Sequence, residues 1–124
     1  MEDMRPGHDR PSETRIVSKV HVPCPVDPVS VLRERLGFPS FRPGQEELIQ
    51  AVLSGGDALG VLPTGIGKSV CYQIPAMMLD GLTVVVAPLV SLMEDQVARA
   101  RTAGLRARCL TAMQSVDERH LVMK

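Results

Sequence analysis

Two regimes of patterning divide this chain: a proline-punctuated opening with no period, then a series of short apolar segments separated by turn residues. From Met1 to about Val26, charges mix with Pro6, Pro11, Pro23 and Pro25, and neither the helical nor the strand period is present. Residues 1–26 therefore read as a flexible tail and residues 27–124 as the folded part. Asp27-Pro28 places an N-cap acid before a proline at the first helical position, and Gly37 supplies the stop, so a short helix with the apolar stripe Val29, Leu32 and Leu36 is expected between them. A second helix is expected from about Pro43 to Leu53. Its stripe is Leu48, Ile49, Val52 and Leu53, with Glu46, Glu47 and Gln50 facing water and Ser54-Gly55-Gly56-Asp57 ending it.

Beyond that point apolar segments and helical patterns alternate. Ala58 to Leu62 is a short apolar run leading into a Pro-Gly loop, and a helical stretch from Lys68 follows, with an interruption expected near Pro75. Leu82 to Ala87 is β-branched and apolar on both faces, as suits a buried parallel strand. Leu89, Leu92, Met93, Val97 and Ala100 form the stripe of the next helix, which closes at Gly104. Arg106 to Leu110 reads as a third strand, and Ser115 opens a final helix. The order β-α-β-α-β-α predicts an α/β fold of parallel strands with right-handed crossovers. No internal repeat or low-complexity tract is visible.

Composition narrows the function classes. A chain of 124 residues holds one small domain, and apolar residues at 44% support a core that aromatics, at 2%, leave to aliphatic packing. Formal net charge is zero, so any contact with nucleic acid has to be local. Cys24, Cys71 and Cys109 are odd in number and form no C-x-x-C pair, which argues against a disulfide framework, a zinc site or a metal role for His8, His21 and Cys24. The longest apolar run, around Leu82 to Leu92, is broken by Pro88 and too short for a membrane span, and the N-terminus has no apolar h-region. A soluble, reduced, cytoplasmic setting without a membrane partner is expected.

The strongest chemical signal is Pro63-Thr64-Gly65-Ile66-Gly67-Lys68-Ser69, set where a strand hands over to a helix. Gly65 and Gly67 let backbone N–H groups turn inward, Lys68 brings an ammonium to the β- and γ-phosphates, and Ser69 offers a hydroxyl to Mg²⁺. Leu62 stands where the strict G-x-x-x-x-G-K-[ST] pattern has its first glycine, and Ile66 is bulkier than the usual small residue. Upstream, Phe38, Phe41, Arg42 and Gln45 converge at a helix start. Such groups suit a base, since one carboxamide can accept from adenine N6 and donate to N7; by spacing alone, the ordinary reading of core phenylalanines and a surface glutamine is favoured.

The segment F-R-P-G-Q-E at Phe41 to Glu46, the loop P-T-G-x-G-K-S, the Cys71-Tyr72-Gln73-Ile74-Pro75 that follows it and the block Ala87 to Val97 together resemble the opening of the RecQ-family DNA helicases. The resemblance covers about Val31 to Arg119 and implies a partial RecA-like P-loop domain, truncated, of an ATP-dependent 3′-to-5′ DNA helicase of recombination and repair. It implies that Phe38 stacks on adenine, Arg42 braces the nucleotide site and Gln45 reads the adenine edge, with ATP and Mg²⁺ held by Pro63 to Ser69. Pro88, Leu89 and Ser91 would touch a DNA strand, at a single-stranded or junction substrate, in a bacterial-type nucleoid setting. On the residues alone, Leu89, Leu92, Met93 and Val97 read as a capped core helix, and Cys71 and Tyr72 as packing.

Hydrolysis needs a carboxylate pair after a buried apolar strand. Asp117-Glu118-Arg119-His120 spells D-E-x-H, yet it follows the polar stretch Thr111 to Val116, and Ser115-Val116-Asp117-Glu118 reads instead as a capping box. With no other such pair and no second lobe, the chain alone is expected to bind ATP weakly and not to unwind DNA, and unpaired sheet edges leave its solitary folding in question. Two rivals remain at this level. One is a small-molecule kinase using the same loop; the other is a degenerate ATP-binding piece without catalysis.

Overall fold

The computed structural model describes residues 26–63, 65 and 67–124. The expected tail up to residue 25, with His8, His21 and Cys24, lies outside the described residues, as do Thr64 and Ile66. Helix α1 spans Pro28–Val31 and continues as a π-helical turn over Leu32–Leu36, ending at Gly37 in the left-handed region (φ 72°). Asp27 sits in extended geometry before Pro28, but its side chain makes no cap bond. The backbone carbonyl of Asp27 does that work, accepting from the N–H groups of Ser30 at 3.0 Å and Val31 at 3.2 Å.

Helix α2 covers Gln45–Leu53 and is launched by Gly44 in the left-handed region (φ 84°). A Cβ at Gly44 would lie 3.0 Å from Leu62 Cδ2, so both the bend and the space call for glycine. Glu46, Glu47 and Gln50 are exposed as expected, and Ile49 is completely buried. Helix α3 covers Val70–Met78 and runs through Pro75 instead of breaking there, with Leu79 N–H donating to Pro75 O at 2.8 Å. Burial of Val70, Gln73, Ile74 and Pro75 against α1 and α2 holds the turn that the proline would otherwise weaken.

Leu32, Ile49, Val70 and Ile74 form the core, with Val31, Leu36, Phe41, Leu53 and Met78 packed around them. Three helical segments thus enclose it. The expected strands over 58–62, 82–87 and 106–110 are not formed among the described residues, and no backbone hydrogen bond there joins one of these segments to another. Leu59 is 92% exposed and Val86 90%. An apolar run states what a strand would bury, whereas a parallel strand also needs ladder bonds from neighbours and helices on its faces; 58–62 and 82–87 have the first property without the second, and 106–110, with Arg106 and Arg108, has neither.

Helix α4 covers Val90–Thr102 and stops before Gly104 (φ 90°). Its expected core stripe is only partly realised: Ala100 is buried, Met93 and Val97 are half-buried, and Leu89 and Leu92 face solvent. Nor is the helix start capped by a side chain, because the N-cap is Leu89. Helix α5, Val116–Met123, begins as anticipated. Glu118 N–H donates to Ser115 Oγ at 3.2 Å and Ser115 N–H donates to Glu118 Oε2 at 2.7 Å, closing the capping box that disposes of the D-E-x-H look-alike.

Two outcomes test this architecture. Ile49→Ala should lower the unfolding free energy by about 2–5 kcal/mol in urea titration, while Leu59→Ser, at an exposed site, should stay within about 0.5 kcal/mol of the unaltered chain. The Glu118 carboxyl is held below its ordinary value of 4.5, chiefly by the Ser115 N–H and then by the Ser115 hydroxyl. Because the folded value is lowered, the cap contributes fully above pH 4.5 and is lost as pH falls through the folded value. Circular dichroism should therefore show loss of α5 helicity below that point, and Glu118→Gln should flatten the transition.

Candidate nucleotide-binding site

The loop between the 58–63 segment and α3 is bent, not extended. Gly65 and Gly67 both take φ 82°, a region closed to most side chains, and the chain then turns at Lys68 and Ser69 into α3. Val70 N–H donates to Gly67 O at 3.2 Å and Cys71 N–H to Lys68 O at 3.1 Å, which draws the loop into the first turn of the helix. Ser69 stands at the N-cap, and its hydroxyl makes no cap bond. Lys68 is exposed and makes no ion pair among the described residues. It borders a cleft of about 220 Å³ whose wall includes Leu48, Leu62, Cys71 and Tyr72.

The F-R-P-G-Q-E segment meets this loop from the other side. Arg42 Nη1 donates to Gly65 O at 2.6 Å, and Gln45 Nε2 donates to Gly67 O at 2.9 Å. Gln45 Oε1 in turn accepts from Arg42 N–H at 2.9 Å. Gln45 is only 3% exposed, so the expectation of a helix-surface glutamine is corrected: its amide was drawn inward because buried polar atoms must find partners, and the loop carbonyl is one. Phe38 is 47% exposed and stands apart from the core, whereas Phe41 packs against it. Pro63 is exposed at the start of the loop.

Pro88, Leu89 and Ser91 are exposed at the uncapped start of α4. No hydrogen bond or ion pair among the described residues joins them to the phosphate loop. Farther along α4, Asp95 and Arg99 pair at 2.9 Å on the helix surface. A larger cleft, about 410 Å³, opens between α4, the 105–110 segment and α5, where Arg101 and Arg108 give N–H groups to the carbonyls of Ala107 and Leu121. The guanidiniums of Arg101 and Arg108 are thus engaged on backbone carbonyls; of the phosphate-loop residues only Lys68 lines the smaller cleft, whose wall is otherwise mainly apolar.

Cys71 and Tyr72 are half-buried, as packing residues would be. Burial pushes the Cys71 thiol above its usual value, so it stays protonated at neutral pH, and burial likewise raises the Tyr72 phenol, against the opposing pull of Arg99. The Tyr72 hydroxyl has no hydrogen-bond partner among the described residues, which its position in the sequence gave no means of foreseeing. Equally invisible was the service of Arg42 and Gln45 to the loop carbonyls, which spans 23 and 22 positions.

Two left-handed glycines and a Lys-Ser pair thus precede the start of α3, the arrangement in which P-loop sequences turn backbone N–H groups toward an anion. Residues 42–123 match the DEAD/DEAH box helicase family, and the chain belongs to it. Over 94 residues it is 51% identical to an ATP-dependent DNA helicase RecQ of Haemophilus influenzae, an overlap of 76% of this chain and 15% of that protein. A probable ATP-dependent DNA helicase RecS of Bacillus subtilis is 48% identical over 94 residues, 75% of this chain and 19% of its own. The mouse ATP-dependent DNA helicase Q4 is 50% identical over 95 residues, 73% of this chain and 8% of its own. The chain therefore spans less than a fifth of each relative.

Gly67 offers the sharpest local test. A Cβ there would lie 3.2 Å from Gln45 Nε2 as well as forcing an L-residue to φ 82°. Gly67→Ala should cost more, in chemical denaturation, than the roughly 1–2 kcal/mol that a left-handed backbone alone imposes on an L-residue. Gly65→Ala, where nothing lies within 4 Å of the added atom, should cost only the backbone part of that amount.

Proposed function

We propose that residues 27–124 are the opening part of the ATP-binding domain of a RecQ-type DNA helicase. The observation that carries this reading is the pair of left-handed glycines running into Lys68, Ser69 and the start of α3. Bent glycines before a helix start suit an anion, an exposed ammonium with no ion pair among the described residues suits the β- and γ-phosphates, and a serine hydroxyl that makes no cap bond suits Mg²⁺; these residues fit Mg²⁺-ATP. Bound Mg²⁺ would spread the phosphate charge and orient the terminal phosphoryl group.

In this reading, Lys68 neutralises phosphate charge, Ser69 ligates the metal, and Pro63, Thr64, Gly65, Ile66 and Gly67 shape the cradle. Phe38 lends an exposed ring face to adenine, while Arg42 and Gln45 stand beside the cradle to brace it and to read the base edge. Pro88, Leu89 and Ser91, at the exposed start of α4, serve a DNA strand backbone, with single-stranded or junction DNA as the substrate. The apolar segments 58–62, 82–87 and 106–110 are strands of a RecA-like parallel sheet that pair when the neighbouring strands of a helicase domain are present. Support comes from the β-branched composition of 82–87, from the exposed apolar side chains of 58–62 and 82–87, and from the names of the relatives. Unwinding belongs to the whole helicase, since no carboxylate pair in this chain follows an apolar strand.

A fluorescent-ATP titration tests the proposal. The 124-residue chain should bind ATP weakly and in preference to GTP, Lys68→Ala should abolish binding, and a strand-separation assay should record no unwinding. Binding unaffected by Lys68→Ala would remove the phosphate loop from the account.

A further inference from the structure

Building on the nucleotide reading above, we infer that Arg42 and Gln45 are positioning residues for the phosphate loop, holding the Gly65 and Gly67 carbonyls so that the loop keeps its bends whether or not a base is bound. Both contacts fall on the two glycines that carry φ 82°, Arg42 Nη1 to Gly65 O at 2.6 Å and Gln45 Nε2 to Gly67 O at 2.9 Å. Glycine visits positive and negative φ about equally when unrestrained. A ligand binding to two free glycines must supply the free energy of ordering them, and a loop already held does not make that demand.

The clamp is itself rigid. Arg42 N–H donates to Gln45 Oε1 at 2.9 Å and Gln45 N–H donates to Arg42 O at 3.1 Å, so the turn from 42 to 45 is closed by its own backbone and side chain. One turn farther along α2, Ile49 is anchored in the core. Gln45 is almost entirely buried and its amide faces the loop, whereas Phe38, the exposed aromatic available to a base, takes part in neither contact. A glutamine that served only a base edge would have no reason to hold a loop carbonyl. Gln45 therefore contributes to binding of the phosphates themselves, independently of adenine.

Inorganic tripolyphosphate with Mg²⁺ has no base and separates the two roles. Gln45→Met keeps the side-chain volume and removes both polar ends, Gln45→Glu keeps an acceptor for Arg42 N–H but cannot donate to Gly67 O, and Arg42→Gln alters an exposed residue and leaves the core untouched. Each variant of the 124-residue chain is titrated with tripolyphosphate and with ATP, and hydrogen exchange over residues 60–70 is followed without ligand. Tripolyphosphate and ATP should weaken by the same factor, about tenfold, and the loop amides should exchange faster while helical dichroism persists. Unchanged tripolyphosphate affinity with weakened ATP binding would overturn the clamp and confine Gln45 to the base. Unchanged loop exchange in folded Arg42→Gln would overturn it also, and this holds should either Gln45 variant fail to fold. If the unaltered chain binds neither ligand, the nucleotide reading fails by itself, and the ligand-free exchange comparison still decides the clamp.

Discussion

Two side-chain hydrogen bonds, from Arg42 to Gly65 O and from Gln45 to Gly67 O, tie the start of α2 to the loop before α3. Each bridges more than twenty residues and lands on a glycine in the left-handed region. The phosphate cradle proposed for the loop depends on those bends, because in an extended conformation the same residues would present no convergent donors. Behind the clamp, Ile49 of α2 and Ile74 of α3 meet in the core with Leu32 and Val70, so apolar packing fixes the distance across which the polar contacts act. Packing sets the separation of the helices, and hydrogen bonding sets the shape of the loop between them.

This arrangement concentrates order where nucleotide chemistry would take place. The helical core supports the loop from beneath, while the apolar segments at 58–62 and 82–87 project Leu59, Val61, Leu82, Val84 and Val86 into solvent. No backbone ladder runs beside these apolar side chains among the described residues, and their exposure follows from that. The match to the DEAD/DEAH box helicases runs from residue 42 to residue 123 and so takes in both the ordered helical core and the exposed apolar segments.

Local signals were legible from residue order. Gly37 and Gly104 stop helices, Pro28 opens one, Ser115 and Glu118 form a capping box, and Leu32 and Ile49 are buried, since each of these depends on chain neighbours or on a helical period. The motif Gly65 to Ser69 announced its bends because glycine spacing is a local property. Where the reading went astray, tertiary contacts had overruled local preference. Pro75 sits inside α3 because its neighbours are buried against two other helices, and Leu89 and Leu92 remain exposed because nothing among the described residues covers that part of the stripe.

By itself, then, the sequence determined the helix stops at Gly37 and Gly104, the capping box at Ser115, the glycine bends and the family, all of which are written in adjacent or periodic residues. Only the tertiary structure decided that Gln45 is buried against Gly67 and that Arg42 reaches Gly65. It also decided that the apolar segments form no ladder among the described residues. Hydrogen bonds between groups some twenty residues apart, and strand pairing above all, depend on which surfaces meet in space, a quantity that no local pattern of residues encodes.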